Sequence, residues 1–346
     1  MAQIRQDDSF PQSQAAALSG PVSAAVPDIL KRFPGRRVGM SRRGLLRSLL
    51  SSAIAIFGVL TIVFFAIMLT GNPALLLASP SATHEELEAL TRLYGFDRSL
   101  PEQYVTFIWN MISGNYPRSL RLNASPLEQI LPAIPYTLSL AFSAGFIAIS
   151  MGLVVGYLSV FSRYKLLREV PLNALAVFQA TPVFVIGLFL VLIFSISLGW
   201  LPTGGSRSVK SLVLPSFSLA LMFAARIAQV FRASLHQVAS AEHVRAARTR
   251  QISEQEIRLR HIVVNALLPV LSVLGLEIGS LLGGSVITES LFSRPGIGSV
   301  LLVAIDNKDY PVIIAAVVLI SVIFIIINTL VDMVSALVDP RTEASL

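Results

Sequence analysis

The chain has 346 residues, 54% of them hydrophobic and 14% charged, with a formal net charge of +7, four histidines and no cysteine. Soluble domains carry roughly 25% charged residues, so the balance excludes an ordinary soluble domain and indicates an all-α polytopic membrane protein, in keeping with a mean hydropathy of +0.71. The missing cysteine excludes disulfides and thiolate metal sites, and the histidines form no HExxH pair. The basic excess fits membrane topology rather than nucleic acid, because no stretch interleaves aromatic and basic residues as single-strand binders do.

Residues 1–41 are rich in Pro, Ser and Ala and have no packed periodicity, which predicts a disordered cytoplasmic extension ahead of a membrane domain over 42–346. A cleaved leader is not expected, since the first apolar run is too long and starts too far in. "GRRVGMSRRG" (35–44) lacks the Lys-Ser/Thr ending of a phosphate loop and reads as the basic flank of the first span. Six segments have the roughly 20 apolar residues that a spanning helix needs: 46–70, 134–160, 172–198, 212–235, 263–290 and 311–337. Small residues recur in them, including Gly145, Gly152 and Gly156 and, later, Gly275, Gly279, Gly283 and Gly284, as close helix packing in lipid requires.

The segment after the first span, 71–133, predicts a small helical extracytoplasmic cap. "THEELEALTRLYGF" begins with Thr83 and Glu86 in capping-box spacing, and "QYVTFIWNMISG" predicts a second, amphipathic helix near the membrane surface. Orientation follows from Lys and Arg counts in the flanks: eight over 1–50, three over 161–170 and five over 236–262, against four opposed by six acids over 71–133. Both termini and the 161–170 and 236–262 loops are therefore expected in the cytoplasm.

The 236–262 loop is more organised than topology demands. Ala239–Arg250 is rich in helix formers, a break falls near Gln251-Ile252, and Ser253 and Glu256 form a second capping pattern leading into the fifth span. Ala241, Ala246 and Ala247 put small side chains on the first helix, open to close approach by a partner surface.

Glu242, His243, Val244, Arg245, Ala247, Arg248, Ser253, Glu254, Arg260, His261 and "NALLP" (265–269) stand in an order that resembles the EAA loop of ABC importer permeases of the dipeptide/oligopeptide/nickel family. Gln251 departs from it, standing where the family usually has a glycine. "LTGNPALLLASPSATHEELEALTRLYGFDRSLPEQY", "GNYPRSLRLNASPLEQILPAIPYTLSLA", "LGWLPTGG" and "ESLFSRPGIGSVLLVAIDNKDYPVI" extend the resemblance over about 42–340. It implies the type I permease fold with six transmembrane helices in a bacterial inner membrane. It also implies a homologous second permease subunit, two ATP-binding subunits that hold ATP and Mg, and a solute-binding protein docking on 71–133 and 291–310. The chain itself would be non-catalytic and hold no cofactor. Residues 241–256 are then the coupling element, with Glu242, Arg245, Ala246, Ala247, Arg248 and Ser253 against an ATPase and Gln251 at the turn. Di- or oligopeptides are the expected substrates, with nickel, glutathione and oligosaccharides as alternatives within the fold.

Ionisable residues inside spans are functional candidates. For Glu277, mid-way along the fifth span, two readings stay open: contact with a cationic group of the substrate, or a structural interhelical bond. Arg226 either pairs with an acid in the bundle or reaches the cytoplasmic face, and a structural role is favoured. Glu289 belongs either to an external gate with the "SRPGIG" turn or to the helix interface. Two other classes make distinct demands on the sequence. An ion-coupled secondary transporter predicts matched halves with broken helices, which are not evident, and an intramembrane enzyme predicts a nucleophile elbow or a paired aspartate, neither of which is present.

Overall fold

The computed structural model describes residues 42–69, 74–75, 78, 82–119 and 121–338; the expected tail over 1–41 lies outside them. The first helix, α1 (Arg42–Leu69), is followed by two short ones, α2 (His84–Tyr94) and α3 (Leu100–Ser113). Thr83 caps α2 as expected: its hydroxyl accepts from the Glu86 amide at 3.3 Å while the Glu86 carboxylate accepts from the Thr83 amide at 2.9 Å. Two of the four orphan amides of the first turn are thereby satisfied. Gly95 and Gly114 end the two helices in the left-handed conformation, at φ 69° and 74°. α3 lies against α1, where Phe64 meets Tyr104 and Phe107 edge-on or tilted and Thr61 bonds the Tyr104 hydroxyl at 2.7 Å. Its Val105, Trp109 and Ile112 remain exposed, as in an amphipathic surface helix.

A short α4 (Pro126–Ile130) passes through a tighter turn at Leu131–Ala133 into α5 (Ile134–Phe161). The third expected span, 172–198, is not one straight helix. α6 (Lys165–Ala180) and α7 (Val183–Leu190, continued by a wider turn over Val191–Ser197) meet at an angle of 114°. Pro182 supplies the reason: it lacks an amide hydrogen and pushes the residue before it out of the helical region. Thr181 accordingly sits at φ −95°, ψ 133°. The remaining elements are α8 (Lys210–Ala239), α9 (Glu242–Thr249), α10 (Glu254–Glu256), α11 (Val264–Leu291), α12 (Ile297–Asp306) and α13 (Tyr310–Val338).

Among the described residues, four helical runs are long and apolar enough to cross a membrane: Leu50–Leu69, Pro126–Phe161, Lys210–Ala239 and Tyr310–Val331, with the bent α6–α7 pair as a further candidate. α11, at 28 residues, is about 42 Å long, more than the roughly 30 Å of a hydrocarbon core. α8 is the centre of the fold. Of its apolar window 72% is buried, against 11% for α1, and α5, α6, α7 and α11 all pack on it. The α5–α8 contact is made by small residues: Ala220, Ala224 and Ala228 on α8 are fully enclosed, and Gly152 and Gly156 face them on α5. A methyl group on Gly152 would stand 2.7 Å from Ile227 and 3.0 Å from the Ala224 carbonyl, and one on Gly156 would stand 2.9 Å from Phe231. A second cluster joins Ile130 and Ala133 to Ile297 of α12 and to Val312, Ala315 and Ala316 of α13.

The glycine contact gives a test. Gly152→Ala should destabilise the detergent-purified protein by about 1–3 kcal/mol through overpacking. Gly58→Ala, where an added methyl meets nothing within 4 Å, should be neutral or slightly stabilising. Paired thermal-denaturation curves of the two variants check this.

Candidate functional site

α8 ends at Ala239, and Ala241 turns to extended backbone (φ −69°, ψ 150°) to start α9. Glu242 in the first turn and Arg248 in the last complement the helix dipole. The chain then reverses through Gln251, whose φ of 58° is left-handed. The expected departure from glycine therefore falls on a residue that adopts the glycine-like conformation, at a local cost of about 1–2 kcal/mol. Ser253 caps the next helix, its hydroxyl accepting from the Glu256 amide at 3.3 Å. From there α10 passes through a wider turn over Ile257–Val263 and continues into α11 without a break.

Two ion pairs hold the loop. Arg248 Nε donates to Glu254 Oε1 at 2.9 Å across the Gln251 turn, and Arg260 Nη1 donates to Glu256 Oε1 at 2.9 Å. The guanidinium of Arg258 lies over the Phe161 ring at 5.3 Å and ties the wider turn ahead of α11 to the end of α5. The inner face is apolar, with Val244, Ala247, Ile257 and Ile262 buried in the main core. This corrects one residue of the expected contact set. Ala247 is three residues from Val244, shares its face, and is spent on packing within the chain. Glu242, Arg245, Ala246, Arg248, Gln251 and Ser253 are exposed together on the outer side.

Arg226 of the fourth expected span and Glu277 of the fifth meet each other. Arg226 Nη1 on α8 donates to Glu277 Oε1 on α11 at 2.7 Å. Of the readings left open for the pair, the interhelical bond is the one present. Fifty-one residues separate the partners, so only the register of α8 against α11 reveals the pairing.

Glu289 stands apart from that pair. It is fully enclosed, and its Oε2 accepts from the Gly298 amide at 2.8 Å and from the Ser299 amide at 3.3 Å. It acts as a remote cap on the N-terminus of α12, where the helix dipole favours negative charge. Thr137 of α5 takes the neighbouring amide of Ile297 at 2.9 Å. Gly296 is required here, because any side chain would run into the Glu289 carboxylate. Arg294, which sequence reasoning passed over, donates from Nη2 to Ser139 Oγ at 2.8 Å and from Nε to the Tyr136 carbonyl at 3.2 Å. The "SRPGIG" turn is thus clasped to α5 from one side and to α11 from the other.

Comparison with known proteins places this arrangement. Residues 148–344 match the family described as "Binding-protein-dependent transport system inner membrane component". The chain is 34% identical over 296 residues to the glutathione transport system permease protein GsiC of Shigella flexneri, covering 85% of this chain and 97% of that protein. The counterpart in Escherichia coli K12 gives the same identity and coverage, and that of Salmonella choleraesuis is 34% identical over 297 residues, 86% of this chain and 95% of the relative. In fold the chain resembles a subunit of the methionine ABC transporter MetNI in inward-facing conformations, with a TM-score of 0.52 at 18% identity, covering 60% of this chain and 95% of that one. Sequence match and fold agree, and the chain belongs to the family of binding-protein-dependent inner-membrane transport components, the permease subunits of ABC importers.

Proposed function

We propose that the chain is one of two homologous permease subunits of an importer for short peptides, with six spans and cytoplasmic termini. The importer draws its energy from two ATPase subunits and its substrate from a binding protein outside the membrane. Membership of a binding-protein-dependent family sets aside the ion-coupled alternative. The observation that carries the mechanism is the loop: a short helix is locked across the Gln251 turn by Arg248 and Glu254 to a second, Ser253-capped helix that runs into α11 without a break. A loop that transmits a stroke must resist bending. Packing of Val244, Ala247 and Ile257 into the core supplies that stiffness, and Ser253 keeps the second helix from fraying.

In this reading the exposed Glu242, Arg245, Ala246, Arg248, Gln251 and Ser253 form the surface that enters a groove on an ATPase. Arg245 offers charge-assisted hydrogen bonds, and Ala246 allows close approach. Closure of the ATPases around ATP and Mg, held on those subunits, moves the loop and with it α11. The binding protein docks outside on α2–α3 and on the 291–310 turn and helix. Relatives named for glutathione transport favour glutathione, among the alternatives within the fold, over nickel or an oligosaccharide.

The function is tested by purifying the cognate binding protein and identifying its bound solute by mass spectrometry. A short peptide is expected; glutathione selects the stated alternative, and nickel or an oligosaccharide overturns the substrate assignment. The coupling surface is tested separately by co-purification with the ATPases. Ala246→Trp should abolish the complex while leaving the permease folded, and unchanged assembly and transport overturn the interface. Ala247→Trp should instead unfold the loop, read as loss of monodisperse permease. Gln251→Gly should relieve the left-handed strain and raise local stability of 242–256 by about 1 kcal/mol, measured by amide hydrogen exchange.

A further inference from the structure

Arg226 sits near the midpoint of α8 and Glu277 near the midpoint of α11, yet the two are exposed very differently. The Glu277 side chain is 5% exposed and that of Arg226 is 56% exposed. Ala224, Ala225, Ile227 and Ala228 around the arginine are all enclosed, so Arg226 stands on one narrow open face. That face continues along α8 at helical spacing through Gln229, Ala233, His236 and Gln237, all exposed, and Gln229 donates to Gln179 of α6 at 3.3 Å. A row of Arg, Gln and His in the middle and lower part of a span cannot face hydrocarbon; ionisable residues at that depth face a water-filled cavity or the bundle interior.

We propose that Arg226 is the residue by which the permease recognises a carboxylate on the passing solute, and that Glu277 is the positioning residue that aims it. This rests on the peptide-import reading above. A guanidinium has five N–H donors in a planar fork. The bond to Glu277 engages Nη1, and the exposed edge presents donors in the geometry that a carboxylate takes up in pairs. Glu277 also sets the strength of the contact. An uncompensated guanidinium would hold an anion more tightly, whereas a compensated one attracts by its hydrogen bonds and releases, as passage through a transport path demands. The charge preference is therefore the reverse of the one that a carboxylate at 277 suggests in isolation: the acid is enclosed and the base meets the solute.

The complete transporter, with its ATPases and binding protein, is reconstituted in proteoliposomes and given glutathione or its glycine ethyl ester, which removes one carboxylate. Each probe saturates the binding protein, so that the permease alone sets the rate difference. Wild type should move glutathione several-fold faster than the ester. Arg226→Gln should bring the two rates together, and the exchange Arg226→Glu with Glu277→Arg, which keeps the ion pair, should favour the ester. Arg226→Lys should keep the order of the two rates. If Arg226→Gln does not assemble, the exchanged pair decides. A wild type that does not distinguish the probes, or an exchanged pair that still prefers glutathione, overturns the inference while leaving import intact. Failure of wild type to move either probe overturns the glutathione alternative, and the same comparison is then made with the peptide found on the binding protein and its C-terminal ethyl ester.

Discussion

Everything in this fold depends on how closely α5 can approach α8. Lipid gives helices no hydrophobic reason to associate, so contact has to come from van der Waals packing over short distances. Glycines at 152 and 156 bring the α5 backbone against Ala224, Ala228, Ile227 and Phe231. With that contact fixed, α8 becomes a central post on which α6, α7 and α11 also lean. The functional features hang on this post: Arg226 projects from it, and α9 follows directly from its end.

In the proposed coupling role, the loop between α8 and α11 faces two opposing demands. An exposed charged surface suits docking, and a rigid body suits transmission of force. One short helix meets both by dividing its faces, with Val244 and Ala247 turned into the core and Glu242, Arg245 and Ala246 turned out. Charge pairing then closes the far side of the turn, where Arg248 and Glu254 are each about half exposed. Such a pair contributes little stability alone; its effect is to fix the angle between the two helices.

Local features of the chain were legible in sequence. The Thr83–Glu86 box and the Ser253 cap follow from side-chain chemistry within a few residues, the glycine-like place of Gln251 follows from the family resemblance, and each is present in the fold. Features requiring knowledge of a second helix were not. Arg226 and Glu277 lie on separate spans, and hydropathy carries no information about their register. Glu289 caps a helix that begins eight residues after it, and its partners become visible only once the 292–296 turn is folded. Ala247 illustrates a subtler loss: a small side chain suits both a docking face and a close internal contact, and the alanine count alone does not distinguish them. The break at Thr181–Pro182 was written in the chain but masked by the long apolar run around it, since hydropathy measures composition and not direction.

The clasp around the "SRPGIG" turn extends the rod of the coupling loop. From Glu254 to Leu291 the chain is helical throughout, 38 residues by difference (291 − 254 + 1), or about 57 Å at the α-helical rise. At its far end Glu289 accepts from the amides that open α12, which ties α12 to the rod. A tilt of about 5° about a fixed lower end carries the upper end of such a rod sideways by about 5 Å. In the proposed cycle such a rod acts as a gear, turning a small tilt at the ATPase end into a displacement of about one helical turn at the Glu289 end.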